Sequence, residues 1–160
     1  MQSDLIWTCR SLGLTLATAE SLTAGLVCSM LAEVPGASAV LRGGVTTYAT
    51  DTKASVLGLD LQILDHVVSE PVVHEMARAA CRLYQADLGL ATTGVAGPDS
   101  LDGQPAGTVW IAVYDARAVQ GLTRLLALPG GRAEVRQSAA EAVIALAAEY
   151  LAQLPRQGRE

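Results

Sequence analysis

A single lysine, Lys53, is the residue of this chain whose chemistry stands out first. The other ten basic residues are arginines, and Lys53 lies five positions after Tyr48 in the stretch GGVTTYATDTK. A buried lysine can lose its proton and serve as a base or nucleophile, whereas an arginine stays protonated in proteins. Lys53 is therefore a candidate base, and an ordinary solvent-exposed lysine is the alternative interpretation.

Ser21 is the candidate nucleophile that such a base would activate. It stands in LTLATAESLTAGL, where an apolar strand pattern gives way to a helical pattern. The first turn of a helix carries unpaired N–H groups that could stabilise an oxyanion, and Ser–Lys pairs are a known variant of the catalytic triad. A simple helix N-cap is the alternative role for Ser21. His66 and His74 are the only histidines, and so the only competing imidazole bases.

Two glycine-rich segments could line a ligand site. TTGVAGPDS turns at Gly94 and Gly97, but it matches neither the P-loop nor the GxGxxG pattern. Such a loop can line an anion site with N–H groups or simply turn into the next strand. GGRAEVR places Arg132 at the start of a helix, a position suited to phosphate as well as to solvent.

Strands that alternate with helices must position these residues. Helices are predicted over residues 1–12, 21–34, 53–57, 61–66, from the cap Ser69 onward, and after Gly131. Strands are predicted over residues 14–19, 40–48, 88–93, 108–114 and 122–128, the last two as a hairpin. The tail PRQGRE is predicted to fray. The pattern favours an α/β fold, a three-layer α/β/α sandwich with a mixed, mostly parallel sheet.

Length and composition indicate one domain over residues 1–160. The apolar fraction of 51% and the charged fraction of 17% exclude a disordered chain. No apolar run reaches the ~18 residues of a membrane span, and the N-terminus lacks the basic region of a signal peptide. A net charge of −5 without a basic run argues against a nucleic-acid partner. Three cysteines without paired spacing indicate a reducing compartment, so we expect a cytoplasmic protein.

Six ordered motifs resemble those of the CinA C-terminal-domain family. They are TAESLTAG, GGVTTYATDTK, VSEPVV, TTGVAGPD, AGTVWIAV and GGRAEVR, and they span the chain from Thr15 to Tyr150. Characterised members of that family are nicotinamide mononucleotide deamidases with an α/β/α sandwich fold. Longer members carry a preceding molybdopterin-binding-like domain, so this chain resembles the stand-alone form.

The resemblance implies a role for each candidate residue. Ser21 matches the nucleophile, Lys53 the general base, and Tyr48 a third active-site residue that would position Lys53 or relay its proton. The expected substrate-binding residues are Thr23, Gly25, Gly44, Thr93, Gly94, Gly97 and Arg132, the last as a phosphate contact. No metal or organic cofactor is implied. The expected partner is the substrate, nicotinamide mononucleotide, and a homo-oligomer is left open.

The implied reaction is hydrolysis of the carboxamide of nicotinamide mononucleotide to nicotinic acid mononucleotide and ammonia. Two departures from the family pattern bear on it. The usual Cys-Thr-Gly-Gly after the nucleophile is Leu22-Thr23-Ala24-Gly25 here, and Thr50 replaces an asparagine. Two alternatives therefore stay open: a catalytically weak or inactive nucleotide-binding domain, and a Ser–Lys amidase for another small amide. The role of Glu20 is also open.

Overall fold

The computed structural model describes residues 1–154, and the tail predicted to fray, residues 155–160, lies outside them. Five α-helices and five β-strands follow one another in this described part of the chain. The helices are α1 Gln2–Leu12, α2 Leu26–Ala32, α3 Thr50–Ser55, α4 Glu70–Tyr84 and α5 Arg132–Gln153. The strands are β1 Leu16–Glu20, β2 Leu41–Thr46, β3 Leu88–Gly94, β4 Thr108–Asp115 and β5 Gln120–Ala127. Within residues 1–154, no helix is long and apolar enough to cross a membrane.

One five-stranded sheet runs in the order β2-β1-β3-β4-β5. β1 pairs in parallel with both β2 and β3, whereas β4 pairs antiparallel with β3 and with β5. Four of the five strands therefore point the same way, and β4 alone is reversed. The β4–β5 hairpin also agrees with the predicted one. The expected mixed, mostly parallel sheet is confirmed.

Helices cover both faces of the sheet, so the predicted three-layer α/β/α sandwich is confirmed. On one face, α1, α2 and α5 pack against large aliphatic side chains such as Leu16, Leu90 and Ile111. On the other face, α4 packs against small side chains such as Ala17 and Ala91. The small residues allow α4 to lie close to the sheet. A Cβ added at Gly89 would overlap the carbonyl oxygen of Ala77 in α4.

One predicted helix boundary is wrong. The second helix begins at Leu26 and not at Ser21. Ala24 and Gly25 adopt left-handed backbone angles, with φ of 51° and 95°, so the chain makes a turn before the helix starts. Ser21 is consequently not a helix N-cap.

The carboxyl ends of three neighbouring parallel strands converge at one edge of the sheet. Ser21 directly follows β1, Thr47 and Tyr48 follow β2, and β3 ends at Gly94. From β1 the chain passes through α2 to β2, on one side of β1 in the sheet, whereas from β3 it runs to β4 on the other side. The direction of the connections therefore reverses between the neighbouring strands β1 and β3. Open α/β sheets bind ligands at such an edge. The fold therefore gathers the candidate residues where a site is expected.

Candidate active site

A cavity of about 310 Å³ opens at the carboxyl edge of β1, β2 and β3. Its wall combines the turn after β1, the residue Tyr48 after β2, the loop after β3 and the first residue of α5. The lining residues are Ser21, Leu22, Tyr48, Gly94, Val95, Ala96, Gly97, Pro98, Asp99, Leu101 and Arg132. Five of the expected site residues thus share one wall: Ser21, Tyr48, Gly94, Gly97 and Arg132.

Lys53 lies directly behind Ser21. The Nζ atom of Lys53 donates a hydrogen bond to Ser21 Oγ across 3.0 Å and another to the carbonyl oxygen of Thr47 across 2.6 Å. The short helix α3, which follows β2, carries Lys53 into this position. If the amine is neutral, the same 3.0 Å contact lets the Ser21 hydroxyl donate its proton to Nζ. The geometry is that of a nucleophile with its base.

Burial changes the acid–base behaviour of Lys53. The side chain is only 1% exposed, which is rare for lysine. Because burial disfavours the charged ammonium, it lowers the pKa of Lys53 from 10.5 to about 8. At pH 7 roughly 10% of such lysines are neutral, compared with roughly 0.03% of ordinary ones. Lys53 is therefore suited to accept a proton near neutral pH.

The carboxylate of Glu20 holds the turn that carries Ser21. It is 1% exposed and accepts five hydrogen bonds from β1, the turn and the start of α2. The donors are the hydroxyls of Thr18 and Thr23 and the backbone N–H groups of Gly25, Val27 and Cys28. Glu20 therefore occupies the amino terminus of α2, where we had expected free N–H groups for an oxyanion. The sequence left the role of Glu20 open, and these hydrogen bonds give it a structural role.

The turn after Ser21 contains two backbone N–H groups that the described residues leave unpaired. Those of Leu22 and Thr23 have no hydrogen-bond acceptor among residues 1–154. Both residues are almost fully buried, Leu22 at 3% and Thr23 at 0% exposure. Buried N–H groups without an acceptor are rare in proteins, and they recur where an oxyanion is stabilised. The turn itself, and not the helix, supplies the candidate donors.

Tyr48 and Arg132 form the outer wall of the cavity. Arg132 donates to the hydroxyl of Tyr48 and to the carbonyl oxygen of Gly97, each across 2.6 Å. Tyr48 is 54% exposed, and neither Lys53 nor Ser21 contacts its hydroxyl among the described residues. The hydroxyl of Tyr48 therefore contacts Arg132 and not Lys53, and its expected role in positioning Lys53 or relaying its proton stays a prediction. The carbonyl of Thr47, the preceding residue, holds the amine instead.

Two expected substrate-binding residues in the turn after β1 face the interior. The hydroxyl of Thr23 donates to Glu20 across 2.7 Å and lies 2.8 Å from the hydroxyl of Thr92. Gly25 is the N-cap of α2 and donates its N–H to Glu20 across 3.0 Å. Neither residue contributes its side chain or Cα to the cavity wall. Both shape the turn, and only the N–H of Thr23 remains as a candidate contact.

Gly44 and Thr93 also lie away from the cavity. A Cβ at Gly44 would overlap Thr18 and Cys28, so the glycine allows α2 to approach β2. Thr93 is 1% exposed and donates its hydroxyl to the carbonyl oxygen of Val67 across 3.0 Å. Neither residue is among those that line the cavity. Their expected role in substrate binding is not supported by the structure.

Neither histidine competes with Lys53 as a base. His66 is exposed and lies 3.7 Å from Asp102, whereas His74 packs edge-on against Tyr114. Neither residue lines the cavity. Residues 1–154 also contain no group of three His, Cys, Asp or Glu side chains arranged to hold a metal ion.

Sequence reasoning did not single out several residues that shape the site. Asp99 and Leu101 line the cavity on the loop after β3. Arg136 in α5 donates to the carbonyl oxygens of Leu22 and Thr23, across 2.9 and 3.2 Å. The motif GGRAEVR contains both Arg132 and Arg136 four positions apart, and this spacing places them on one helix face. That spacing was the signal available for Arg136.

Known proteins resemble this chain in sequence. The family model of the CinA C-terminal domain matches residues 1–151. A competence-damage inducible protein of Levilactobacillus brevis is 46% identical over 126 residues, covering 78% of this chain and 30% of the relative. A CinA-like protein of Frankia casuarinae is 43% identical over 143 residues, covering 88% of this chain and 33% of the relative. The chain thus spans about a third of the length of these relatives.

Solved structures resemble it over nearly their whole length. A CinA superfamily protein of Klebsiella pneumoniae has a TM-score of 0.91 and 31% identity, with 96% of each chain covered. A competence/damage inducible protein of Agrobacterium tumefaciens has a TM-score of 0.84 and 31% identity, covering 94% of this chain and 96% of its own. Sequence, fold and the ordered motifs around the cavity agree, and this chain belongs to the CinA C-terminal domain family.

Proposed function

We propose that this protein hydrolyses the carboxamide of nicotinamide mononucleotide, yielding nicotinic acid mononucleotide and ammonia through Ser21 and Lys53. The observation that carries the proposal is the 3.0 Å contact between Ser21 Oγ and the buried amine of Lys53, whose pKa is lowered to about 8. A serine hydroxyl is a weak nucleophile until a base removes its proton. The contact supplies that base beside an open cavity.

The first half of the reaction forms an acyl-enzyme. Neutral Lys53 removes the proton of the Ser21 hydroxyl as Oγ attacks the amide carbon. The carbonyl oxygen becomes an oxyanion, and the N–H groups of Leu22 and Thr23 would stabilise it. When the tetrahedral intermediate collapses, the C–N bond breaks and Lys53 returns the proton to the departing nitrogen. Ammonia leaves, and the nicotinoyl group remains as an ester on Ser21.

The second half of the reaction releases the carboxylate. A water molecule enters the position that ammonia vacated and attacks the ester carbon while Lys53 takes its proton. Collapse of the second tetrahedral intermediate breaks the bond to Ser21 Oγ, which recovers the proton from Lys53. The enzyme is regenerated, and the net change is the addition of one water. Two proton transfers by one lysine suffice in each half.

Arg132 is the proposed contact for the phosphate of the substrate. Its guanidinium stands on the outer cavity wall, held by Tyr48 and Gly97. A guanidinium presents several N–H donors and binds phosphate in a planar, bidentate manner. Binding energy from this remote group can orient the amide over Ser21. A ring between Tyr48 and the loop after β3 would then place its carboxamide toward the interior.

Ammonia release from nicotinamide mononucleotide tests the proposal directly. Purified protein is incubated with the nucleotide, and ammonia and nicotinic acid mononucleotide are measured together. We expect both products in equal amounts from the native protein and from Ser11→Ala, a control on the exposed face of α1. We expect neither product from Ser21→Ala.

The same assay separates the alternatives. Turnover of other small amides with none of the mononucleotide would assign a Ser–Lys amidase with a different substrate. Binding of the mononucleotide without ammonia release, unchanged in Ser21→Ala, would assign a nucleotide-binding domain and reject the proposed reaction.

A further inference from the structure

Arg136 forms hydrogen bonds with the turn that carries the proposed nucleophile. From the second turn of α5 its Nε donates to the carbonyl oxygen of Leu22 across 2.9 Å. Its Nη2 donates to the carbonyl oxygen of Thr23 across 3.2 Å. The partners lie 114 and 113 positions away in sequence, so the contact is purely tertiary. One planar guanidinium therefore holds two successive carbonyl groups.

The contact with the carbonyl of Leu22 sets the direction of the peptide group between Leu22 and Thr23. In a trans peptide, the C=O of one residue and the N–H of the next point in opposite directions. Holding the carbonyl of Leu22 therefore turns the N–H of Thr23 away from Arg136. That N–H has no acceptor among residues 1–154, and neither does the N–H of Leu22. Arg136 thus determines where an unpaired buried donor points.

Glu20 holds the other side of the same turn. Its carboxylate accepts from the hydroxyl of Thr23 and from the N–H of Gly25, both in the turn. Arg136 binds carbonyl groups and Glu20 binds donors, so the two side chains leave little freedom for the segment between them. Ser21 is also tied to β3 through its own N–H, which donates to Thr92 across 3.0 Å. The segment is therefore held at three points.

We infer that Arg136 is a positioning residue, which orients the peptide group between Leu22 and Thr23 so that the N–H of Thr23 serves as a donor of the oxyanion hole for reaction at Ser21. The inference rests on the proposed function only in taking Ser21 as the nucleophile of an acyl transfer. It does not require a particular amide. Arg132, four residues earlier on the same helix, faces the cavity itself.

Steady-state kinetics of Arg136→Ala test this role. An oxyanion hole acts in the transition state, so we expect kcat to fall about 100-fold while KM changes little. Added guanidinium ion should fill the space left by the side chain and restore about tenfold or more of the lost kcat. Arg124→Ala is the matched control, because Arg124 pairs with Glu149 on the far side of α5. It should keep the native kcat and show no response to guanidinium.

Each other result overturns the inference. A raised KM with native kcat would make Arg136 a direct substrate contact. A loss of kcat that guanidinium does not restore, accompanied by a lower melting temperature, would make it a scaffold residue only. Native kcat would show that the turn holds without it.

A second readout separates this inference from the proposed substrate. If the native protein releases no ammonia from nicotinamide mononucleotide, the labelling rate of Ser21 by a small fluorophosphonate replaces kcat in the same comparison. Phosphonylation also builds negative charge on an oxygen that the hole would bind. If Ser21 is labelled slowly in Arg136→Ala and added guanidinium restores the labelling rate, the inference is supported even though nicotinamide mononucleotide is not the substrate. Failure of the native protein to label overturns it.

Discussion

Ser21 Oγ and Lys53 Nζ lie 3.0 Å apart, although 32 positions separate the residues in sequence. The parallel pairing of β1 with β2 brings them together, because both strands end at the same edge of the sheet. Ser21 follows β1 at once, whereas Lys53 reaches the edge on the short helix after β2. The carbonyl of Thr47 then holds the amine against the hydroxyl. The order and direction of the strands therefore bring Ser21 and Lys53 into contact.

Lys53→Arg should abolish most of the activity. The substitution keeps a positive charge but gives a side chain that cannot deprotonate. We expect the rate of ammonia release to fall by about 10²–10⁴, the usual contribution of a general base. Ser21→Ala should be about as damaging, and the double variant little worse than either single one, because the residues act as a unit. Retention of most of the rate in Lys53→Arg would reject Lys53 as the base.

The pH dependence of kcat/KM should follow the ionisation of Lys53. The neutral amine is the active form, and burial lowers its pKa to about 8. The rate constant should therefore rise about tenfold per pH unit well below pH 8 and level off above it. The measurement is kcat/KM for the mononucleotide between pH 6 and about 9.5, with circular dichroism to verify folding. A profile that is flat across pH 7–8 would contradict a lysine base.

Lys53 should lower the stability of the fold at neutral pH. Its folded pKa of about 8 lies below the ordinary 10.5, so between these values the unfolded chain binds more protons. The destabilisation is complete below pH 8 and is relieved as the pH rises toward 10.5, by up to about 3 kcal/mol. Lys53→Met lacks this ionisation.

Urea unfolding of the native protein and of Lys53→Met, compared at pH 7 and pH 10, measures this effect. The difference in free energy of unfolding should shift in favour of the native protein by about 2–3 kcal/mol as the pH rises. Buried thiols such as Cys9 and Cys81, whose pKa values burial raises to about 12, contribute equally to both proteins and cancel. A difference independent of pH would show that Lys53 is not desolvated.

Ala24→Gly should stabilise the turn after Ser21. Ala24 has a φ of 51°, in the left-handed region that costs a non-glycine residue roughly 1–2 kcal/mol. Glycine adopts this angle without strain but gains entropy when unfolded, so we expect a net gain of roughly 0.5–1 kcal/mol. Gly25→Ala, at a φ of 95°, is the matched control and should destabilise the fold. Chemical denaturation measures both, and a loss of stability in Ala24→Gly would contradict the prediction.

Arg132→Ala should remove the preference for a phosphorylated substrate. If Arg132 binds the phosphate, the native protein should use nicotinamide riboside about 10–100-fold less efficiently than the mononucleotide. The variant should lose efficiency on the mononucleotide and little on the riboside, so the two values converge. The ratio of the two kcat/KM values is the measurement, with Arg124→Ala as control. An unchanged ratio would place the phosphate elsewhere.

Much of the fold followed from local patterns in the sequence. Apolar runs such as 88–93 and the helical spacing after Ser69 depend on neighbours a few positions away, so periodicity located these elements correctly. The single lysine and its spacing from Tyr48 also drew attention to Lys53 before any geometry was known. These features rely on residue type and short-range order, which a sequence displays directly.

Tertiary structure alone decided which groups meet. The start of α2 depends on the buried carboxylate of Glu20, and Tyr48 contacts Arg132, 84 positions away, and not Lys53. Gly44 and Thr93 turned out to serve packing, because the positions of the elements above and below the sheet set what each strand residue faces. The packing of helices and strands decides which residues so distant in sequence form hydrogen bonds, and local sequence patterns do not contain that information.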